Sequence, residues 1–66
     1  MKSNYSDSII KLRVKLNVSQ TELAKILGVS FSSINRWEKR KYNPTIIAKE
    51  KLKTLFKEHN IELEEM

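Results

Sequence analysis

Sixty-six residues carrying a net charge of +5 and no cysteine make one small domain, near the size where a single core only just suffices, with neither a disulfide framework nor a thiolate metal site open to it. One glycine and one proline argue against turn-rich sandwiches and barrels and against a glycine-rich phosphate loop. No apolar run approaches the ~20 residues of a membrane span, and the start MKSNYSDSIIKLR has no signal-peptide core, so the expectation is a soluble, intracellular chain, cytoplasmic in a bacterial setting.

In chain order, residues 6–16 place Ile9, Leu12 and Leu16 at helical spacing, with Ser6 or Asp7 available as the cap. Asn17, which tolerates the left-handed conformation, and Val18 break this helix. SQTE then opens a second helix as a capping box: the Ser19 hydroxyl accepts from the Glu22 amide while the Glu22 side chain reaches back. Leu23, Ala24 and Leu27 form its inner face, and Gly28, the only glycine, ends it at a position needing a positive φ. Ser30 caps a third helix after a very short turn. Asn43 or Thr45, with Pro44 between, starts a fourth, whose stripe of Ala48, Leu52, Leu55 and Phe56 runs to about His59. Asn60 is a stop signal, Ile61 can fold back over the helix end, and residues 61–66 read as a frayed tail. The fold class is therefore all-α, in a single domain spanning 1–66.

The connection between the second and third helices carries the most information. Helix, short glycine-containing turn, helix over about residues 19–38 is the helix-turn-helix arrangement, whose second helix can enter a DNA major groove; it is also an ordinary corner of a helical bundle. Ala24 lets the two helices cross closely. On the third helix, Ile34 and Trp37 fall on one side as an anchor, while Phe31, Ser32, Asn35 and Arg36 fall opposite as a polar face with one aromatic. A helix that merely solubilises a domain more usually shows Glu and Lys there. Charge concentrates around this stretch. Residues 29–44 carry Arg36, Lys39, Arg40 and Lys41 against Glu38, and residues 1–18 carry Lys2, Lys11, Arg13 and Lys15 against Asp7, whereas the last third is slightly acidic. Such a patch suits a polyanion, either nucleic acid or an anionic membrane.

The stretch SQTELAKILGVSFSSINRWEKRKYNP resembles the Cro- and lambda-repressor-like, or XRE-type, helix-turn-helix family. Ser19, Gln20, Leu23, Ala24, Gly28, Val29, Ser30, Ile34, Trp37, Glu38 and Pro44 match its pattern, and the resemblance covers roughly residues 7 to 58. It implies a compact lambda-repressor-like bundle of four or five helices, bacterial or phage-encoded, that binds double-stranded DNA sequence-specifically and acts at operators as a transcriptional regulator, typically a repressor. By position, Gln20 matches a residue that contacts the DNA backbone and braces the recognition helix, and the amides of Gln20 and Thr21 would face a phosphate. Phe31, Ser32, Asn35 and Arg36 match base-reading positions. Lys39, Arg40 and Lys41 match the loop that follows the backbone, and Arg13 and Glu38 match a structural ion pair. Arg40 stands where the family usually has glycine, so either the loop takes another path or Arg40 accepts a strained dihedral. Phe31 stands where polar readers are frequent; it either meets a thymine methyl or tucks against the domain. Arg36 either donates twice to a guanine or clamps a phosphate, and Asn35 either reads an adenine or only caps and solvates.

Nothing points to an enzyme. Without cysteine or a second histidine, the lone His59 is no metal ligand, no serine has a histidine near it in sequence, and no carboxylate pair is indicated. The expectation is no catalytic site, no metal, no cofactor, no small-molecule ligand and no membrane. The competing reading is a protein-interaction module, such as an antitoxin that also regulates its own gene, or the DNA-binding domain of a larger protein. Relatives mostly bind pseudo-palindromes as dimers; Ile46, Ile47, Phe56 and the IELEEM tail are the candidate homodimer surface.

Overall fold

Four helices and no strand form within residues 5–63, the part of the chain described by this computed structural model. They are α1 (Tyr5–Leu16), α2 (Gln20–Leu27), α3 (Phe31–Glu38) and α4 (Ile46–Glu58). Three of them start on a hydroxyl that replaces a missing helical carbonyl. Ser19 accepts from the Glu22 amide at 3.1 Å while the Glu22 carboxylate accepts from the Ser19 amide at 2.8 Å. Ser30 accepts from the Ser33 amide at 3.1 Å, and Thr45 from that of Ala48 at 3.2 Å.

The four helices end in one and the same way. Asn17, Gly28, Arg40 and Asn60 are the positive-φ residues among those described, at 58°, 72°, 64° and 57°. At each, the left-handed residue and its successor donate back into the last turn: Asn17 to Val14 and Val18 to Arg13, Gly28 to Lys25 and Val29 to Ala24, Arg40 to Trp37 and Lys41 to Arg36, Asn60 to Lys57 and Ile61 to Phe56. These are Schellman turns, which satisfy carbonyls the helix leaves open. A further open carbonyl, that of Leu27, accepts from the Lys51 ammonium of α4 at 3.1 Å.

The core follows from helical spacing. Tyr5, Ile9 and Leu12 of α1 meet Leu23, Ala24 and Leu27 of α2, Ile34 and Trp37 of α3, and Ala48, Leu52 and Phe56 of α4. Both α1 and α2 pack on α3, so the third helix is clamped along one side and free along the other.

The structure corrects several of the sequence expectations. Ser6 and Asp7 do not cap α1; the helix already runs at Tyr5, and both sit inside its first turn. Ser6 is buried, and its hydroxyl donates to the Glu38 carbonyl at 2.7 Å, at the end of α3. Thr45, not Asn43, caps α4. Leu16 and Leu55 are only partly buried, whereas Tyr5, unassigned by the periodicity, is a core residue whose ring lies 6.3 Å from that of Phe56. Burial of Phe56 removes it from any contact surface. Residues 61–63 are not frayed: Ile61 and Leu63 pack on the core, and the Glu62 carbonyl accepts from the Ser8 hydroxyl at 2.9 Å. The remainder of the expected tail, 64–66, lies outside the described residues, as does Lys2.

Candidate nucleic-acid interface

The elements that meet at the end of α3 fix its orientation. The Glu38 carboxylate, on the last residue of α3, accepts from Arg13 Nε at 2.6 Å, from Arg13 Nη2 at 3.0 Å and from Gln20 Nε2 at 2.9 Å. One carboxylate thus joins α1, α2 and α3, and only 7% of its side-chain surface is exposed. The hydrogen bond to Glu38 raises the Arg13 pKa above its ordinary value; the carboxylate's charge adds to this, and partial burial acts against it.

Gln20 is half-buried, Thr21 exposed. The capping box occupies the Glu22 amide and leaves those of Gln20 and Thr21 at the open, partially positive end of α2. Of the two hydrogens on the Gln20 side-chain nitrogen, one goes to Glu38. The other is left for an acceptor outside the fold.

On α3, Ile34 is fully buried and Trp37 is buried beside it, while Ser32 and Arg36 are exposed, Phe31 keeps 49% of its surface, and Asn35 is half-buried. About half of the Phe31 side chain is therefore open to solvent. The four expected readers share one outward side of a helix whose inward side packs against α1 and α2. The guanidinium of Arg36 lies over the ring of Tyr42, 5.5 Å from its centroid.

After α3, Lys39, Arg40 and Lys41 are all exposed. Of the two alternatives for Arg40, the strained dihedral holds, at φ 64°. Its guanidinium also donates to Asp7 Oδ1 of α1 at 3.0 Å, with both side chains largely in solvent. Sequence reasoning misses both this pair and the Arg36–Tyr42 stack. Spacing gives no signal for the first, because Asp7 and Arg40 lie 33 residues apart. For the second there is a signal: a residue just past a Schellman turn folds back beside the last helical turn.

A helix-turn-helix family model matches residues 9–66 of the chain. The chain belongs to that family. It is accordingly a DNA-binding helix-turn-helix regulator in the general sense, of the Cro- and lambda-repressor-like, XRE type anticipated from its sequence. Neither the curated proteins nor the solved structures provide a match. Among the described residues no helix is long and apolar enough to cross a membrane, and no cluster of His, Cys, Asp or Glu is placed to hold a metal ion.

Proposed function

We propose that this helix-turn-helix protein recognises a specific sequence of double-stranded DNA in the bacterial cytoplasm and represses a promoter by occupying its operator. One observation carries the reading: α3 is anchored by Ile34 and Trp37 while Phe31, Ser32 and Arg36 face solvent on its other side. With α3 in the major groove, Arg36 donates to guanine O6 and N7, Asn35 and Ser32 meet base edges, and Phe31 contacts a thymine methyl. The amides of Gln20 and Thr21 and the side chains of Lys39, Arg40 and Lys41 hold the flanking phosphates. Phosphate contacts set register and base contacts set sequence.

Selection of bound duplexes from a random-sequence pool, followed by titration of the enriched site at several salt concentrations, tests this. Enrichment of one motif is expected. Recovery of unenriched DNA, or no binding even at low salt, overturns it.

Ile46 and Ile47, 80% and 72% exposed at the start of α4, favour a macromolecular contact in addition to DNA. Within this proposal they are where two copies meet on a pseudo-palindromic site. If selection fails, the same pair makes a protein-interaction role, such as that of an antitoxin, the leading alternative.

A further inference from the structure

Tyr42 is exposed over 62% of its surface, follows the recognition helix, and belongs neither to the core nor to the residues assigned above to DNA. Its place is set by the turn before it. The left-handed Arg40 reverses the chain, and the Lys41 amide donates to the Arg36 carbonyl at 3.1 Å, so residue 42 emerges beside residue 36. The Arg36 guanidinium then lies over the Tyr42 ring at 5.5 Å.

We infer that Tyr42 is a positioning residue for Arg36, holding its guanidinium by the face so that the N–H edge is presented to a guanine. This rests on the groove reading of α3 proposed above. A carboxylate partner would consume the donors, because it binds the guanidinium fork in its own plane. An aromatic ring engages the cation through its π face instead, and the five N–H donors lie in the guanidinium plane. Among the described residues no carboxylate forms an ion pair with Arg36; the two pairs present take Arg13 and Arg40. The stack therefore restrains a side chain with much rotamer freedom while leaving its recognition edge available.

The test compares Tyr42→Leu, Tyr42→Phe, Arg36→Ala and the Tyr42→Leu/Arg36→Ala double variant on the selected duplex and on an unrelated duplex. In the free protein, the Arg36 side-chain proton shifts report the stack directly, through the ring current. Tyr42→Leu is expected to lose that shift and to weaken binding to the selected duplex roughly two- to fivefold, the size of one exposed cation–π interaction, with melting temperature and binding to unrelated DNA unchanged. Tyr42→Phe keeps the ring and is expected to match the wild type. In the Arg36→Ala background, Tyr42→Leu adds nothing. An equal loss with and without Arg36 means that the ring meets DNA by itself, and overturns the inference; so does an unchanged Arg36 shift in Tyr42→Leu, or undiminished binding. If Arg36→Ala alone leaves sequence preference intact, the groove reading fails first, and the role of Tyr42 falls with it.

Discussion

Replacing Glu38 with alanine should be among the most damaging changes to a polar residue in this domain. The substitution removes three hydrogen bonds from Arg13 and Gln20 at once and leaves the Arg13 guanidinium beside the bundle without its counter-charge. An exposed ion pair contributes ~0–1 kcal/mol, whereas orphaning one member of a buried pair costs about 3–5 kcal/mol. Arg13 keeps 24% of its side chain in solvent, so water recovers part of the loss, and we expect about 2–4 kcal/mol. In a domain of this size that lowers the melting temperature by on the order of 10–30 °C. Glu38→Gln keeps the volume and one acceptor, and should fall between the two. Removing Arg13 as well takes away the orphan, so the double variant should cost clearly less than the sum of the single ones. Urea denaturation followed by helical circular dichroism measures all of these. A Glu38→Ala loss below about 1 kcal/mol, the range of exposed pairs, or strict additivity in the double variant, would refute the argument that this carboxylate is a sheltered junction.

Arg40→Gly should stabilise the fold by up to about 1 kcal/mol, because the left-handed conformation costs a non-glycine residue ~1–2 kcal/mol, offset by glycine's backbone entropy; an unchanged or lower midpoint counts against strain at this position. Asp7→Asn should leave stability within about 0.5 kcal/mol and tighten binding to any DNA, since it releases Arg40; weaker binding in a filter assay would show that the pair instead holds Arg40 in place. Changing Lys39, Arg40 and Lys41 together to Ala should weaken binding to all sequences alike and flatten its salt dependence by roughly 0.9 in slope for each phosphate no longer neutralised; a retained wild-type slope would put the loop away from the backbone. On α3, Arg36→Ala should cost about 1–3 kcal/mol at a selected site and little elsewhere, and Phe31→Ala should blunt discrimination of thymine from uracil. Ile34→Ala and Trp37→Ala should instead lower stability by about 2–5 kcal/mol, read by thermal melts, and the reverse assignment of effects would overturn the division of the helix into two faces.

Much of the fold was legible because its determinants are local. Ser19 with Glu22, Ser30, Thr45, Gly28 and Asn60 each announce a helix boundary through their own side chain or its absence, and each sits at one. Ile9, Leu12, Leu23, Leu27, Ile34 and Leu52 follow a helical period, and all are fully buried or nearly so. What escaped was long-range. Ser6 resembles a cap in sequence because serine caps helices well, yet its hydroxyl is spent on the end of a helix that begins 25 residues later. Tyr5 lies one residue ahead of the expected helix and joins the core because α4 brings Phe56 to it. Ile61 folds back over the end of α4 as its sequence suggests, but the docking of Leu63 on the core and of the Glu62 carbonyl on Ser8 escaped, because Ser8 lies 54 residues away.

The turn after α3 departs from the other three in its chemistry. At three of the four helix ends, the residue following the left-handed one is apolar: Val18, Val29 and Ile61, each packed against the core. Such packing is the usual companion of the Schellman turn. At the end of α3 the same position is Lys41, in solvent, and the left-handed residue is Arg40, where glycine or asparagine serves elsewhere. Two features that would stabilise the turn are thus missing, and each is replaced by a positive charge. The turn holds regardless, because Ser6 caps the Glu38 carbonyl from α1 and the Glu38 side chain is tied to Arg13 and Gln20. Support from α1 and α2 stands in for what the turn itself gives up. The junction at Glu38 and the charged loop beside it are therefore one arrangement: the sheltered carboxylate lets the exposed cations exist in a geometry that would otherwise favour glycine and an apolar anchor. It follows that Arg40→Gly should still add its gain of up to about 1 kcal/mol in the Glu38→Ala background, recovering the smaller part of the loss and leaving the share that comes from the orphaned Arg13, while the loop carries one positive charge fewer.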